Sequence, residues 1–408
     1  MNCRNCKKNL EHCFIDLGSA PPSNSYLTKT QLNITEKYYP LKVYICDKCW
    51  LAQVIDYAWR DVFFNEFYAY FSSISKSFLE HSKKYVDYII DRFKIKNNSR
   101  VYELASNDGY LLQYFQKKNY NCIGIEPSKS CAEYARAKKI SVIEDFFDSN
   151  LAKEQAKKKL TADLVIANNV LAHVPNITDF IKGISILLKP KGLVTFEFPH
   201  FLNLIKNNQY DTIYHEHYSY LSLISVKNIF KRNGLKIFDV QEIETHGGSL
   251  RVFAQKKNSK FYKLGKNVSK IIKAEKKFKL NSLNTYKNFQ NSAEKNKDDL
   301  IRFLLDCKKK GLKVAAYGAA AKGNTLLNFA GIRKDLISFV CDSAPTKQNK
   351  FLPGSRIPIY PPKHLLKNKP DYLLILPWNI ADEVISQLKI LKKTKTKFFI
   401  AIPKIKIF

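Results

Sequence analysis

The chain has 408 residues, 45% of them hydrophobic, with 68 lysines and arginines against 36 acidic residues and a formal net charge of +32. That length and apolar content can build two or three packed domains and exclude a disordered or fibrous chain. No apolar run approaches the roughly 18 residues of a membrane span, and the opening MNCRNCKKNL lacks the apolar centre of a signal peptide, so no membrane partner and a cytoplasmic location are expected.

The charge excess is lysine. Only 10 of the basic residues are arginine, and they are scattered, whereas readers of nucleic acid lean on arginine for bidentate base contacts. No nucleic-acid partner is therefore expected, and the lysine runs at 256–280 and 391–397 read as solvated faces.

The first module, residues 1–70, carries Cys3-Arg-Asn-Cys6 and Cys46-Asp-Lys-Cys49. Each tight turn can place two thiolates on one side of a tetrahedral ion, and two such turns fill the coordination sphere without leaving room for a catalytic water. A structural zinc on Cys3, Cys6, Cys46 and Cys49 is the expectation, with Cys13 a spare thiol in the core. Residues 61–98 read as helical, preceded by the aromatic and hydroxyl-rich stretch Phe67 to Ser75.

A second domain, 71–255, alternates strand and helix: RVYEL, YNCIGIE, ISVIE, ADLVIANNV and GLVTFEF are strands, with helices between them, and LKIFDVQEI and SLRVFAQ close the unit. Such alternation winds a parallel sheet. Residues 256–310 read as a long helical connection, after which KVAAYG, LISFVCD, DYLLILPW and KFFIAIP repeat the same grammar in a smaller Rossmann-like sheet within 256–408. The fold class expected is α/β, with a zinc-binding amino-terminal module and two Rossmann-like sheets.

Chemistry concentrates in two places. In Val101-Tyr-Glu103-Leu-Ala105-Ser-Asn107-Asp108-Gly109 a strand runs into a tight turn of small residues, and the acidic Glu126 follows 17 residues after Gly109. This resembles the nucleotide-binding half of a Rossmann fold, in which such a carboxylate accepts from ribose hydroxyls. The turn is similar to that of S-adenosylmethionine (SAM) methyltransferases, Ala105 and Asn107 replacing its first two glycines; Asp145-Phe146-Phe147 and Ala167-Asn168-Asn169 follow later strands. The second place is Gln209 to Tyr220, which packs two imidazoles, two carboxylates and four phenols into twelve residues. Histidine titrates nearest neutrality, so a base able to take a proton from carbon next to a carbonyl is expected there, although such runs also occur as structural loops.

Taken together, the blocks YAYFSSIS, ELASNDGYLL, ANNVLAHVPN, TFEFPH, QYDTIYHEHYSYLS, THGGSLRV, YGAAAKGNTLLN, CDSAPTKQ and LILPWN resemble, over nearly the whole chain, the three-domain SAM-dependent sugar C-methyltransferases. These act on a ring carbon of nucleotide-linked keto-deoxysugars. The resemblance implies that Glu103, Ala105, Asn107, Gly109, Glu126, Asp145, Phe146 and Asn168 hold SAM. It implies that His217 is the base and that Tyr214, Glu216, His173 and one of Tyr68 and Tyr70 surround the sugar; which of the two tyrosines faces it stays open. His246, Arg251, Gly318, Lys322 and Asn324 would bind the nucleotide-sugar, dTDP-linked by the same resemblance, the helix start after Gly318 attracting phosphate. A monomer is expected. The competing readings are an O- or N-methyltransferase, a nucleic-acid methyltransferase and a zinc-bearing binding protein without turnover.

Overall fold

The computed structural model describes residues 1–57 and 71–408. The amino-terminal unit pairs β1 (His12–Ala20), β2 (Tyr39–Ile45) and β3 (Ala52–Val54) as antiparallel neighbours. Helix α1 (Lys76–Phe93) starts at Ser75, whose hydroxyl accepts from the Phe78 N–H, and buries Tyr85, Val86 and Ile89 at helical spacing.

The central unit then runs β4 (Arg100–Leu104), α2 (Leu112–Gln116), β5 (Asn121–Ile125), α3 (Lys129–Ala137), β6 (Ser141–Ile143), α4 (Ser149–Lys157), β7 (Ala162–Asn168), α5 (Ile177–Leu187) and β8 (Leu188–Pro199). After the segment 200–218 come β9 (Ser219–Tyr220), α6 (Leu223–Arg232), β10 (Leu235–Ile243), β11 (Ser249–Lys256) and α7 (Lys266–Lys277). The sheet order is β10-β11-β8-β7-β4-β5-β6, with β4 to β8 parallel and β11 antiparallel to both neighbours. The strands β7 and β8 are near-continuous apolar runs because helices cover both faces.

The helical region expected over 256–310 consists of α7 and α8 (Phe289–Lys309), with residues 278–288 between them holding a short 3-10 turn at Leu283–Tyr286. The last unit holds β12 (Val314–Tyr317), α9 (Ala321–Phe329), β13 (Val340–Cys341), β14 (Ile359–Tyr360), β15 (Tyr372–Ile375), α10 (Ala381–Gln387), β16 (Lys397–Ile400) and β17 (Lys406–Ile407). Its order is β14-β13-β12-β15-β16-β17, parallel except for β17.

The units are interlocked. Strand β9 leaves the central unit to pair with β3, Ala52 opposite Tyr220 and Gln53 opposite Ser219, so the amino-terminal sheet is completed by residues 166 and 168 positions further along the chain. One apolar core runs from Phe14, Val43 and Val54 of the first sheet through Tyr210 and Ile213 to Leu326 and Leu374 of the last. Cys13 corrects the expectation of a core thiol: it is exposed, because β1 turns its neighbours Phe14 and Ile15 inward at an irregularity in register. Among the described residues no helix is long and apolar enough to cross a membrane.

Candidate active site

A cavity of about 720 Å³ opens where the two Rossmann-like sheets face each other. On the central side it lies over the carboxyl ends of β4, β5 and β7, where strand order reverses and open α/β sheets take their ligands. The turn after β4 is left-handed at Ala105 (φ 55°), Asn107 (φ 49°) and Gly109 (φ 73°). Glu126, at the end of β5, clamps that turn: its carboxylate accepts from the Asn107 N–H at 2.8 Å and the Ser128 N–H at 2.9 Å. Burial raises its pKa to about 7 against those two donors. From the other side, Asn107 Oδ1 accepts from the Ser72 N–H at 2.8 Å, and Ser73 bonds to Asp108, so the hydroxyl-rich stretch before α1 ties onto the turn.

Ala105, Asn107, Glu126, Asp145, Phe146 and Asn168 all line the cavity. Among the described residues, Asn168 Oδ1 and both polar side-chain atoms of the adjacent Asn169 are buried in its wall without a hydrogen-bond partner. Polar atoms left so are normally satisfied by something, and the amino, carboxylate and ribose groups of SAM fit that need. Glu103 and Gly109 do not line the cavity. Glu103 lies in the interior of β4, its carboxyl driven well above the usual range by burial. Gly109 faces α3 and β6, where a Cβ would stand 2.4 Å from Ile140 Cδ1.

The segment 209–220 hangs between all three units. Tyr210 Oη donates to Asn296 Oδ1 at 2.8 Å on α8, Asp211 accepts from Trp378 Nε1–H at 2.7 Å, and the Ile213 carbonyl accepts from the Thr325 hydroxyl at 2.8 Å on α9. His215 Nε2 lies 3.1 Å from the Tyr39 carbonyl of β2, and β9 follows at once. Tyr214, Glu216 and His217 project into the cavity that Glu126 also lines.

The tautomer of His217 follows from its partners. Nδ1 is 2.9 Å from the Thr212 carbonyl, which can only accept, so Nδ1 carries the proton. Nε2 is then the acceptor, and Tyr214 Oη donates to it at 2.6 Å. The His173 ring packs 4.6 Å from the His217 ring. Burial, with that second imidazole, holds the His217 pKa well below the ordinary value, and burial brings His173 to about 4. His217 is thus a neutral imidazole with its basic nitrogen turned toward the cavity's phenol.

Across the cavity the last sheet repeats the device seen at Glu126. Asp342, at the end of β13, accepts from the Ala319 N–H and the Ala344 N–H, each at 2.7 Å, and so clamps the turn after β12. Gly318 (φ 89°) cannot be replaced there, since a Cβ would meet Pro377 Cδ at 2.4 Å. Lys322, in the first turn of α9, lies over the Trp378 ring at 4.7 Å and donates to Asn379 at 2.6 Å. Gly318, Lys322 and His246 line the cavity, and His246 Nε2 is buried there without a partner.

Two expected substrate residues lie elsewhere. Arg251 on β11 stands opposite Glu197 on β8 and pairs with its carboxylate at 2.5 Å under Tyr85; Glu197 in turn holds His81, which does reach the cavity. Asn324 sits two positions past Lys322, about 200° around the helix, and donates to the Ser23 carbonyl at 2.6 Å instead. Tyr68 and Tyr70 lie outside the described residues. Residues that sequence reasoning passed over include Asn24, Ser72, His81, Asp342 and Lys347; the last two stand in the quoted block CDSAPTKQ, whereas Asn24 lies in a loop with no distinguishing pattern.

The four cysteines come together away from the cavity. Cys3 Sγ is 3.5 Å from Cys49 Sγ, Cys6 Sγ is 3.4 Å from Cys46 Sγ, and all four sulfurs fall within 4.8 Å of one another. A tetrahedral zinc with bonds of about 2.3 Å needs sulfurs about 3.8 Å apart, so the cluster fits a closed structural site.

Family profiles match in the same three segments: a zinc binding domain over 3–64, a methyltransferase domain over 78–240 and a C-methyltransferase C-terminal domain over 244–403. C-methyltransferase NovU of Streptomyces niveus is 33% identical over 401 residues, 98% of this chain and 95% of that protein. The chain belongs to this C-methyltransferase family. This C-methyltransferase draws its methyl group from SAM and carries a structural zinc on Cys3, Cys6, Cys46 and Cys49, and the O- and N-methyl readings fall away. Solved structures aligned with the C-methyltransferase are more distant. They include magnesium protoporphyrin IX methyltransferase from Synechocystis with bound SAM (15% identity, TM-score 0.34, 45% of this chain and 82% of that one) and a SAM-dependent methyltransferase from Archaeoglobus fulgidus (14%, 0.35, 45% and 100%).

Proposed function

We propose that this C-methyltransferase methylates a ring carbon adjacent to a keto group, C3 in our reading, of a dTDP-linked deoxysugar, with His217 as the base. The observation that carries the proposal is the fixed tautomer of His217, whose Nε2 accepts in the cavity shared by Glu126 and Lys322. A ring carbon has no lone pair with which to attack a methyl group, so a proton alpha to a carbonyl has to leave first. His217 takes that proton at Nε2 once the substrate displaces the Tyr214 hydroxyl from it. His173 and the freed Tyr214 phenol face the enolate oxygen that forms.

Bound SAM supplies a methyl group on a positively charged sulfur. The turn held by Glu126, with Asp145, Phe146 and Asn168, orients the donor, while Gly318, Lys322 and His246 hold the nucleotide diphosphate on the opposite wall. Two rigid sheet ends thus set the distance between donor and carbon acid. The zinc cluster lies outside the cavity and takes no part in the bond changes.

The test is His217→Asn assayed with a dTDP-linked 4-keto-6-deoxyhexose. The variant should bind SAM normally and lose exchange of the alpha proton into deuterated water; normal exchange would place the base elsewhere. Mass and NMR spectra of products from a panel of keto-deoxysugar nucleotides identify the sugar and the carbon methylated.

A further inference from the structure

We infer that Asn24, in the loop after β1 of the zinc-bearing unit, is a positioning residue that holds Glu216 as an aimed carboxylate beside the base. The inference rests on the proposed reading of the cavity and adds a residue that no motif pointed to. Asn24 Nδ2 stands 2.8 Å from both Glu216 oxygens. A carboxylate only accepts, so the amide orientation follows from the chemistry, and Asn24 donates one N–H shared between the two Glu216 oxygens. Both residues line the cavity, and Glu216 is 2% exposed.

The loop that carries Asn24 is itself anchored. Tyr26 Oη donates to the Ala319 carbonyl at 2.6 Å, and the Ser23 carbonyl accepts from Asn324. Asn24 is therefore fixed relative to the turn proposed to hold the diphosphate, and through β1 and β2 to the zinc unit. Asn24 and Lys347 act on the Glu216 carboxyl and Tyr26 feels its charge, while His173 bonds to the Glu216 backbone and His217 follows next in the chain. Burial pushes the Glu216 carboxyl up to about 7, while Asn24 first and Lys347 second pull it back. Asn24 thus favours the ionised form of Glu216 against burial and sets where its oxygens point. An ionised Glu216 next to His217 accepts a hydroxyl or amine hydrogen of the sugar and fixes the ring for deprotonation.

Two variants and two readouts test this. Asn24→Ala removes the shared donor, and Asn24→Asp places a second carboxylate at the same distance. In glutamate labelled with carbon-13 at the carboxyl, the Glu216 signal, assigned as the one lost in Glu216→Gln, should titrate at least one pH unit higher in each variant, a tenfold change in ionisation constant. The acid limb of alpha-proton exchange from a dTDP-linked 4-keto-6-deoxyhexose should move up with it, with SAM affinity and one zinc per chain retained. Asn24→Gln, which keeps an amide donor, should recover part of the shift. If the wild type exchanges the alpha proton but the Glu216 titration and the acid limb stay put in the alanine and aspartate variants, the inference is wrong. If the wild type exchanges no proton, the reading of the cavity fails instead. Loss of zinc or of SAM binding in both variants would also overturn the inference, because Asn24 would then be a folding residue.

Discussion

Glu275 is fully buried on α7, in a segment otherwise crowded with lysines, and removing its carboxylate should loosen the strand and helix that follow the base loop. Its oxygens accept from the Leu223 N–H at 2.6 Å and the Ile224 N–H at 2.8 Å, the first turn of α6, and lie 2.8 Å from His200 Nε2. Glu275→Ala leaves three donors without their acceptor, two of them buried and the Ile224 N–H partly buried. At about 1–3 kcal/mol for each orphaned group, a local loss of about 3 kcal/mol is expected even after relaxation. That free energy corresponds to roughly a hundredfold rise in opening, because about 1.4 kcal/mol is tenfold. Hydrogen exchange reads it directly, which matters in a chain of three interlocked units where no single unfolding free energy is defined. Peptides covering 221–232 should exchange about two orders of magnitude faster in Glu275→Ala, while peptides of β12 and β15 stay unchanged. Protection of 221–232 within a factor of about five of wild type would show that the donors find other partners and that the ledger of buried groups is wrong.

Asp211 gives a prediction with a pH sign. Burial raises its carboxyl from the ordinary 3.8 to about 6, so the folded chain keeps a proton that the unfolded chain releases, and the group costs stability as pH rises through about 6. The shift amounts to about 3 kcal/mol at full ionisation. Asp211→Asn can still accept from Trp378 Nε1–H, and its gain in thermal midpoint over wild type should roughly double between pH 5 and pH 8; a gain that shrinks toward pH 8 contradicts the assignment. At the metal, Cys46→Ser should lower zinc from one per chain to near zero and expose the first 57 residues to protease while SAM binding persists; undiminished zinc would mean the cluster is not the ligand set.

Much of the architecture was written in local patterns, and the failures share a cause. Alternating apolar runs predicted the parallel strands because a strand buried on both faces has few residue types open to it, and paired Cys-x-x-Cys turns predicted the cluster because thiolate spacing is set by short-range geometry. What the chain did not reveal is direction. Lys322 and Asn324 sit in one block, yet helix phase sends one into the cavity and the other to the first unit. Arg251 sits in a block that suggests substrate binding, yet strand pairing sets it against Glu197. The lysine run at 256–280 read as a solvated face, while Val268, Ile271 and Glu275 of α7, spaced three and four apart on one side of the helix, are buried. Strand β9 has two residues, too few for any periodicity, and so the pairing that suspends the base loop from the zinc unit could not be seen.

That pairing explains why three units are needed for one transfer. Glu126 and Asp342 hold the two turns in the same way, each taking two backbone N–H groups at the end of the second strand of its sheet. Two such sites face each other across the cavity, but neither supplies a base, because the carboxyl end of a Rossmann sheet offers turns and helix starts suited to binding anions and riboses. The base proposed here, His217, comes from a loop that belongs to neither turn. It is pinned to α8, α9 and Trp378 on one side and to β2 and β3 on the other, so its position is set by the relative placement of the units rather than by any one of them. A small rotation of the zinc-bearing unit would then move His217 and Glu216 together while leaving both binding turns intact. For that reason, disturbance of the first sheet is expected to cost proton abstraction before it costs either ligand.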